Sequence, residues 1–213
     1  MPRALPVHTG RAPASARGTR TRTALVEAAR EVFERDGFLA ARITDITARA
    51  GVAAGSFYTY FTSKEDVFAA VMAEVQEEML HPKLREIADS DDPLAVIDSA
   101  NRAYLASYRR NARLMALMEQ VTHIDDEFRA LRMQRVRAFE QRNAAAIKAL
   151  QQRGLANSTL DPRLAARALS AMVSRVAYLR YVQGYGNEST ETLVRTLTGL
   201  WVGALGITTK RED

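Results

Sequence analysis

A short stretch of this chain brings together side chains that suit contacts with nucleic acid. It holds Gly55, Ser56, Tyr58 and Thr59, with Lys64 a few residues further on. Hydroxyl groups donate hydrogen bonds to phosphate oxygens and meet base edges, and a glycine lets a backbone approach closely. Lys64 follows a serine at the predicted start of a helix, where free amides and positive potential favour a phosphate. These residue types therefore indicate noncovalent binding of DNA.

Two short helices joined by a tight turn must hold these side chains in place. Their apolar positions recur at helical spacing: Ile43, Ile46, Ala50, Phe57, Tyr60 and Phe61. Thr44 is a suitable N-cap for the first helix, Gly51 ends it, and the second helix is predicted over residues 54–61. Such a pair leaves its second helix protruding, which is the shape that enters a DNA major groove. The stretch from Arg42 to Lys64 therefore predicts a helix-turn-helix.

Four blocks of sequence resemble, in this order, the N-terminal domain of the TetR family of transcriptional regulators: Gly37-Phe38, ITDITARAGV, GSFYTYF and SKED. The resemblance covers residues 22–68. An ordinary helical hairpin, the alternative, accounts for the apolar positions. It gives no reason for exposed Tyr58, Thr59 and Lys64 beside two small residues. The resemblance therefore implies a DNA-binding module at this end of the chain.

By position, the resemblance also implies which residues contact DNA. In the family the recognition helix meets DNA through its first turn and its exposed face. Gly55, Ser56 and Thr59 would then approach bases. Tyr58 would bind a phosphate, and Tyr60 is left open between a phosphate contact and a place in the core. The complete set of candidates, with the flanking residues, is Arg42, Thr44, Gly55, Ser56, Tyr58, Thr59, Tyr60 and Lys64.

Two alanines depart from the family's pattern at the start of the recognition helix. Ala53 and Ala54 stand where the family often has a capping Ser or Thr and a polar or basic side chain. The helix start is therefore expected to be poorly capped, and bidentate readout of bases to be weak. Arg42 could offset this loss through a phosphate or minor-groove contact.

The predicted fold class is all-α, because no segment alternates with the two-residue period of a strand. About nine helices are expected. They form a three-helix helix-turn-helix DNA-binding domain and a larger helical ligand-binding and dimerisation domain. The predicted divisions are a disordered basic arm over residues 1–20, the DNA-binding domain over 21–66 and the larger domain over 67–213. Thr21 or Thr23 is the expected cap of the first helix.

Capping patterns predict where the later helices begin. The residues that mark these starts are Ser63, Pro93, Asp125 or Asp126, Asp161 with Pro162, and Ser189. The last helix is expected to reach about Thr208. The helix that starts at Ser63 links the DNA-binding module to the remainder, so it is expected to transmit changes between them.

The larger domain carries more aromatic and methionine side chains than a tightly specified helical bundle needs. The candidate lining of a ligand pocket is Asn101, Tyr104, Tyr108, Met115, Met118, Phe128, Phe139, Asn143, Met172 and Tyr178. Methionine adapts to irregular shapes, and a buried amide needs a hydrogen-bond partner, which a ligand can supply. Two alternatives stay open: the apolar stripe packs the core, and the asparagines bond neighbouring helices. An apolar or amphipathic effector is the ligand that this lining favours.

The final helix offers the best case for self-association. Gly199, Gly203 and Gly206 recur at helical spacing beside a broad apolar face, and three glycines in one helix suggest close contact with another helix. That contact lies either within the subunit or in a dimer. In the TetR family the last two helices pair with their copies, so the resemblance implies a homodimer on a pseudo-palindromic operator. The predicted interface residues are Leu197, Gly199, Leu200, Trp201, Gly203 and Ala204.

Composition limits the other classes of function. The chain of 213 residues has a formal net charge of +5 and no cysteine, which excludes a thiol nucleophile and suits the cytoplasm. Residues 1–22 hold five arginines and no acid, so this arm either follows DNA or is a solvated tail. No glycine-rich phosphate loop and no nucleophile paired with a base is found. No enzymatic activity, cofactor or metal is therefore expected.

The combined expectation is a ligand-responsive transcriptional regulator. It is expected to be a repressor that an apolar or amphipathic small molecule releases from double-stranded operator DNA. The alternative is a DNA-binding regulator with no small-molecule ligand, controlled by a protein partner or acting architecturally. No membrane partner is expected, because no apolar run approaches the ~20 residues that cross a bilayer.

Overall fold

The structure is a computed structural model that describes residues 15–80, 92–123 and 125–207. These residues form helices and no strand, which confirms the predicted all-α fold. The helices are α1 (Ala16–Ala40), α2 (Ile43–Ala50), α3 (Ala54–Tyr60), α4 (Lys64–Leu80), α5 (Pro93–Arg110), α6 (Ala112–Val121), α7 (Asp126–Gln152), α8 (Pro162–Tyr181) and α9 (Thr190–Leu205). None of these described helices combines the length and apolar character that a membrane span requires.

Contacts group the helices into two compact units. The first unit takes residues 1–77 and 113–133, and the second takes residues 78–112 and 134–213. Because α4 and α7 each cross a unit boundary, both helices contribute residues to both units. The functional division expected between residues 66 and 67 stays a prediction.

The first helix begins earlier than the sequence indicated. Ser15 is its N-cap, and the Ser15 hydroxyl accepts a hydrogen bond from the Gly18 amide at 3.1 Å. The expectation that Thr21 or Thr23 caps α1 is therefore wrong. The Thr21 hydroxyl instead donates to the Arg17 carbonyl inside the helix. Residues 16–20 of the predicted disordered arm are helical, and residues 1–14 lie outside the described residues.

Aromatic rings build the core of the first unit. Gly37 leaves the helical conformation at φ 79°, and Phe38 then turns back into the core. The ring of Phe68 on α4 lies 5.0 Å from Phe33, 5.1 Å from Phe38 and 5.3 Å from Phe128, measured between centroids. The first turn of α7 therefore packs with α1 and α4. Phe128 is a core residue of this unit, 3% exposed.

Helices α2 and α3 follow one another through a three-residue turn. Gly51 ends α2 in the left-handed conformation at φ 68°, where glycine is favoured, and the Val52 amide donates to the Thr47 carbonyl at 3.1 Å. Arg42 is the N-cap of α2 and makes no side-chain capping bond. The expectation that Thr44 caps this helix is wrong, because α2 begins at Ile43 and Thr44 lies inside it.

The later helix starts agree with the capping patterns. Ser63 accepts a hydrogen bond from the Asp66 amide at 3.2 Å, and Asp161 with Pro162 begins α8. Ser189 caps α9, and Asp125 rather than Asp126 accepts from the first amides of α7. The sequence predicts these helix starts because a capping side chain and the amide that it accepts from lie only a few residues apart.

The second unit is a bundle in which α5 and α8 both pack against α9. The Asn101 amide donates to the Thr198 hydroxyl at 3.2 Å inside this contact, and Arg102 pairs with Glu191 at its exposed edge.

The last helix, α9, ends earlier in the chain than the sequence predicts. Gly206 is its left-handed C-cap at φ 61°, and Thr208 lies outside the described residues. Gly206 therefore ends α9 and does not extend its glycine stripe.

Candidate functional site

The recognition helix α3 presents a sharp division between a buried side and an exposed side. Phe57 is fully buried, and Phe61, which follows the helix, is buried as well. Tyr58 is 62% exposed, with its ring edge-on to Phe57 at 5.4 Å, and Gly55 and Thr59 are also exposed. Aromatic packing on one side thus holds an aromatic hydroxyl, a threonine hydroxyl and an open backbone on the other.

Two candidates on α3 are less exposed than the others. Ser56 and Tyr60 are half-buried, so neither is fully in the core and neither stands free on the surface. The start of the helix is as poorly capped as the sequence indicated. Ala53 is the N-cap and makes no side-chain bond, and the Ser56 amide donates to the Ala53 carbonyl at 2.9 Å. The stability of this seven-residue helix therefore depends on the packing of Phe57 and Phe61.

The candidates on α2 lie at its exposed start. Arg42 and Thr44 are both exposed, and Arg42 is in the extended conformation that precedes the helix. The other end of α2 is fixed to α1 by an ion pair, in which Arg49 meets Glu31 with N to O distances of 2.5 and 3.0 Å. A hydroxyl and a guanidinium at the helix start are thus available to a phosphate backbone.

Lys64 has a structural role that its sequence position did not reveal. Its Nζ donates to the carbonyl oxygens of Leu39 at 3.2 Å and Ala41 at 3.1 Å, and it lies 4.8 Å from the centroid of the Phe38 ring. The ammonium group therefore holds the connection between α1 and α2 in place. Its predicted contact with a phosphate stays a prediction.

Sequence reasoning missed a second cation that stabilises this unit. The Arg22 guanidinium lies 5.2 Å from the centroid of the Phe61 ring, which places the first half of α1 against the residue that follows α3. In the sequence, Arg22 contributes only to the charge of the basic arm. No local pattern could have revealed this contact, because it joins residues 39 positions apart.

The predicted dimerisation residues fall on two sides of α9. Leu197 and Trp201 are buried within the chain, at 2% and 8% exposure. The others form what we term the open face of α9, which consists of Gly199, Leu200, Gly203 and Ala204. A Cβ added at Gly199 or Gly203 meets no described atom within 4 Å. The close helix contact that these glycines suggest is therefore not made by a described helix of the same chain.

Seven of the ten candidate pocket residues belong to the second unit: Asn101, Tyr104, Tyr108, Phe139, Asn143, Met172 and Tyr178. The Tyr104 ring lies 5.9 Å from Tyr108 and 5.6 Å from Phe139, and Tyr108 lies 6.5 Å from Tyr181. We term these four side chains the aromatic group. Met172 and Tyr178 are half-buried, with Arg175 stacked on the Tyr178 ring. The remaining candidates, Met115, Met118 and Phe128, belong to the first unit.

The polar groups beside the aromatic group are already engaged. Burial raises the pKa of the Tyr104 phenol, although its hydrogen bond with Ser174 and the charge of Arg135 oppose this rise. The Asn143 amide donates to the Ser170 hydroxyl at 2.9 Å, and Asn101 bonds Thr198. Both asparagines thus bond neighbouring helices, which is the alternative that the sequence left open. The Tyr104 hydroxyl stays protonated at neutral pH.

Two family models together account for most of the described chain. Residues 25–71 match the model of bacterial regulatory proteins of the tetR family. Residues 97–206, just over half of the chain, match the model of the C-terminal domain of the transcriptional regulator EthR. The chain belongs to the TetR family of transcriptional regulators. The resemblance inferred from the helix-turn-helix blocks is confirmed.

Similar proteins agree with this membership. The transcriptional regulator YdgC of Bacillus subtilis is 32% identical over 93 residues, and the match spans 42% of this chain and 45% of that relative, less than half its length. A TetR-family regulator from Mesorhizobium loti has the same fold, with a TM-score of 0.76 at 18% identity over 89% of this chain and 98% of that one. SmeT, the repressor of a multidrug efflux pump in Stenotrophomonas maltophilia, gives a TM-score of 0.71 at 22% identity, over 90% of this chain and 94% of SmeT. These relatives are transcriptional regulators, which are not enzymes.

Proposed function

We propose that this TetR-family regulator is a homodimeric, cytoplasmic repressor that an apolar or amphipathic small molecule releases from a pseudo-palindromic operator. The observation that carries the proposal is the exposed side of α3. Tyr58, Thr59 and the open backbone at Gly55 stand together above a fully buried Phe57. A helix that exposes hydroxyls on one side suits a major groove and its phosphates.

Recognition in this proposal depends more on shape and phosphate contacts than on direct base readout. Ala53 and Ala54 bring no hydrogen-bonding group to the first turn of α3. Tyr58 and Thr44 supply hydroxyls to the backbone, Arg42 adds a charge, and Thr59 is left to meet a base edge or a thymine methyl group. The operator is therefore expected to tolerate base changes within a half-site better than a regulator with bidentate contacts does.

Dimerisation in this proposal uses the open face of α9. Two glycines and an alanine allow two backbones to approach closely, and Leu200, which is 50% exposed, supplies apolar area. A two-fold axis would then place one α3 in each half-site of the operator. With half-sites about one DNA turn apart, roughly 34 Å or slightly more, the distance between the two copies of α3 decides whether both fit.

Control by a ligand is assigned to the second unit. The aromatic group, with a protonated Tyr104 hydroxyl, suits an apolar molecule that has a polar end. The end of α4 is fixed in this unit by one carboxylate, since Glu78 accepts hydrogen bonds from Ser107, Arg110 and Asn111. Burial raises the pKa of Glu78, but these hydrogen bonds outweigh it and hold the pKa below its usual range. A ligand that favours one position of α4 would shift the population of DNA-binding dimers.

The test combines selection of DNA with native mass spectrometry. A random duplex pool is expected to yield a pseudo-palindromic site, and the purified protein is expected to appear as a dimer carrying a copurified small molecule. Adding that molecule should lower operator affinity by about tenfold or more. A pool without enrichment would contradict the DNA-binding function. A dimer that binds a selected site and responds to no copurified molecule would favour the regulator without a ligand.

A further inference from the structure

The indole N–H of Trp201 is buried without a hydrogen-bond partner. Trp201 is 8% exposed, and its Nε1 finds no acceptor among the described residues. Buried side-chain donors in proteins nearly always have a partner, either in the protein or in ordered water. The lone donor at Trp201 therefore indicates that an acceptor is supplied from outside the described chain.

The residues that flank Trp201 on α9 do not favour a trapped water. Leu197 and Leu205 lie one turn before and one turn after it, and both are buried. Thr198, on the same side of the helix, already accepts the hydrogen bond of Asn101 at 3.2 Å. A buried water usually needs two to four polar partners, and apolar cavities tend to stay dry. An organic acceptor on an apolar molecule fits these flanking residues better.

The second subunit of a dimer is not the source of the acceptor. Nε1 is buried within a single chain, so a partner packed on that chain's surface does not reach it. Gly199 and Gly203 on the open face each lie two residues from Trp201, which places them on nearly the opposite side of α9. The acceptor must therefore enter the interior of the second unit.

We propose that Trp201 is an effector-binding residue whose indole N–H donates a hydrogen bond to an acceptor oxygen of the ligand. This inference rests on the proposed function, which supplies the effector. Because an indole N–H is a donor only, the ligand needs an acceptor at this point. A neutral oxygen is favoured, since a carboxylate would be buried against one donor. The ligand class is an apolar molecule with a ketone, ether or ester group.

The single tryptophan of the chain makes the test specific. A ¹H–¹⁵N spectrum of the full-length protein contains one indole resonance, which reports Trp201 alone. The probes are 2-undecanone and n-undecane, which have the same chain length and differ in the acceptor. The ketone is expected to move the indole proton resonance downfield and to bind about tenfold more tightly than the alkane. The alkane is expected to leave the resonance near its position in the free protein.

Two replacements of Trp201 separate the hydrogen bond from the shape of the ring. Trp201→Phe removes the N–H, and 3-benzothienylalanine at this position keeps the bicyclic shape while it also removes the N–H. Both are expected to abolish the preference for the ketone, and the 3-benzothienylalanine protein, which keeps the ring shape, is expected to keep alkane affinity within about twofold. Thr198→Val, which alters the neighbouring polar pair, is expected to keep the preference. Retention of the preference in the 3-benzothienylalanine protein would overturn the proposal, as would a failure of both probes to bind.

The outcomes for Trp201 and for the proposed function are distinguishable. If a small molecule releases the operator equally from wild type and from the 3-benzothienylalanine protein, the role of Trp201 fails and ligand control stands. If the ketone shifts the indole resonance but operator affinity never changes with any bound molecule, the site stands and ligand control fails.

Discussion

Gly55 on α3 and Gly203 on α9 both face open space, but the side chains beside them differ in chemistry. A Cβ built at either position meets no described atom within 4 Å, so each leaves an open stretch of helix surface. Beside Gly55 stand the hydroxyls of Tyr58 and Thr59, whereas Gly203 has the aliphatic Leu200 nearby. An open backbone next to hydroxyls suits a charged, hydrated partner, and one next to aliphatic groups suits another apolar helix. Open space alone does not define a partner; the neighbouring side chains do.

Filling the open face of α9 should cause the largest loss of operator affinity, because it should prevent dimerisation. Gly203→Glu places a carboxylate on a face that we propose a second copy buries, and an unpaired buried charge is costly. The dimer is expected to dissociate. Operator affinity should then fall by on the order of a hundredfold, because the half-sites are no longer bound together. Light scattering after size exclusion and fluorescence anisotropy on operator DNA measure these two losses.

The control for this change is Gln141→Glu, which adds the same charge at an exposed position of α7. It is expected to leave both dimerisation and operator affinity unchanged. A Gly203→Glu protein that remains dimeric would remove the open face of α9 from the interface.

Filling the corresponding space on α3 should lower operator affinity by a smaller factor and leave the dimer intact. A Cβ added at Gly55 meets no described atom within 4 Å, and leucine is the better helix former, so the free energy of unfolding of Gly55→Leu should rise by up to ~1 kcal/mol. The added side chain would hold the backbone away from DNA, and operator affinity is expected to fall about tenfold while the dimer persists. Thermal unfolding, light scattering and anisotropy separate these outcomes. Unchanged affinity in a folded dimer would exclude Gly55 from the DNA interface.

Removing one hydroxyl from α3 should lower operator affinity less than filling the helix surface does. Tyr58→Phe keeps the edge-on packing against Phe57 and removes one donor to a phosphate oxygen. Affinity is expected to fall about fivefold, and by a similar factor for operators of different sequence, because a phosphate contact carries no base information. Competition assays with several selected operators measure this. A loss confined to one operator sequence would instead assign Tyr58 to a base.

The smallest expected change in affinity belongs to Lys64, which also has a role in folding. Lys64→Ala removes the hydrogen bonds to the Leu39 and Ala41 carbonyls, so the melting temperature should fall whether or not DNA is bound. If the ammonium also meets a phosphate, affinity should fall about threefold, and the slope of log affinity against log salt should become shallower by up to about one. An unchanged slope with a lower melting temperature would leave Lys64 with its structural role alone.

The parts of the fold that the sequence predicted well depend on residues close together in the chain. Ser63 with Asp66 and Asp161 with Pro162 were identified correctly because cap and amide lie within one turn. Thr44 was assigned wrongly for a related reason. It is a good capping residue by type, but the apolar side of α2 starts the helix at Ile43, one residue earlier.

The contacts that the sequence could not predict join distant residues. Lys64 bonds a carbonyl 25 positions earlier, and Phe128 packs against Phe38, 90 positions away. Helical periodicity indicates which side of a helix is buried, but it does not identify the helix that covers it. The same limit applies to the pocket candidates, since the sequence favours Asn101 as a ligand contact, whereas in the fold its amide bonds Thr198, 97 positions away.

The uncapped start of α3 makes helix capping a means of adjusting operator affinity in the proposed regulator. Ala53 leaves the first amides of a seven-residue helix without a side-chain acceptor, so in the free protein these amides should exchange with solvent quickly. Binding to the operator then includes the entropy of ordering that turn. Ala53→Ser would order it in advance. The regulator would bind more tightly and dissociate more slowly, so a slow response to the proposed effector would be the consequence of a better-formed helix.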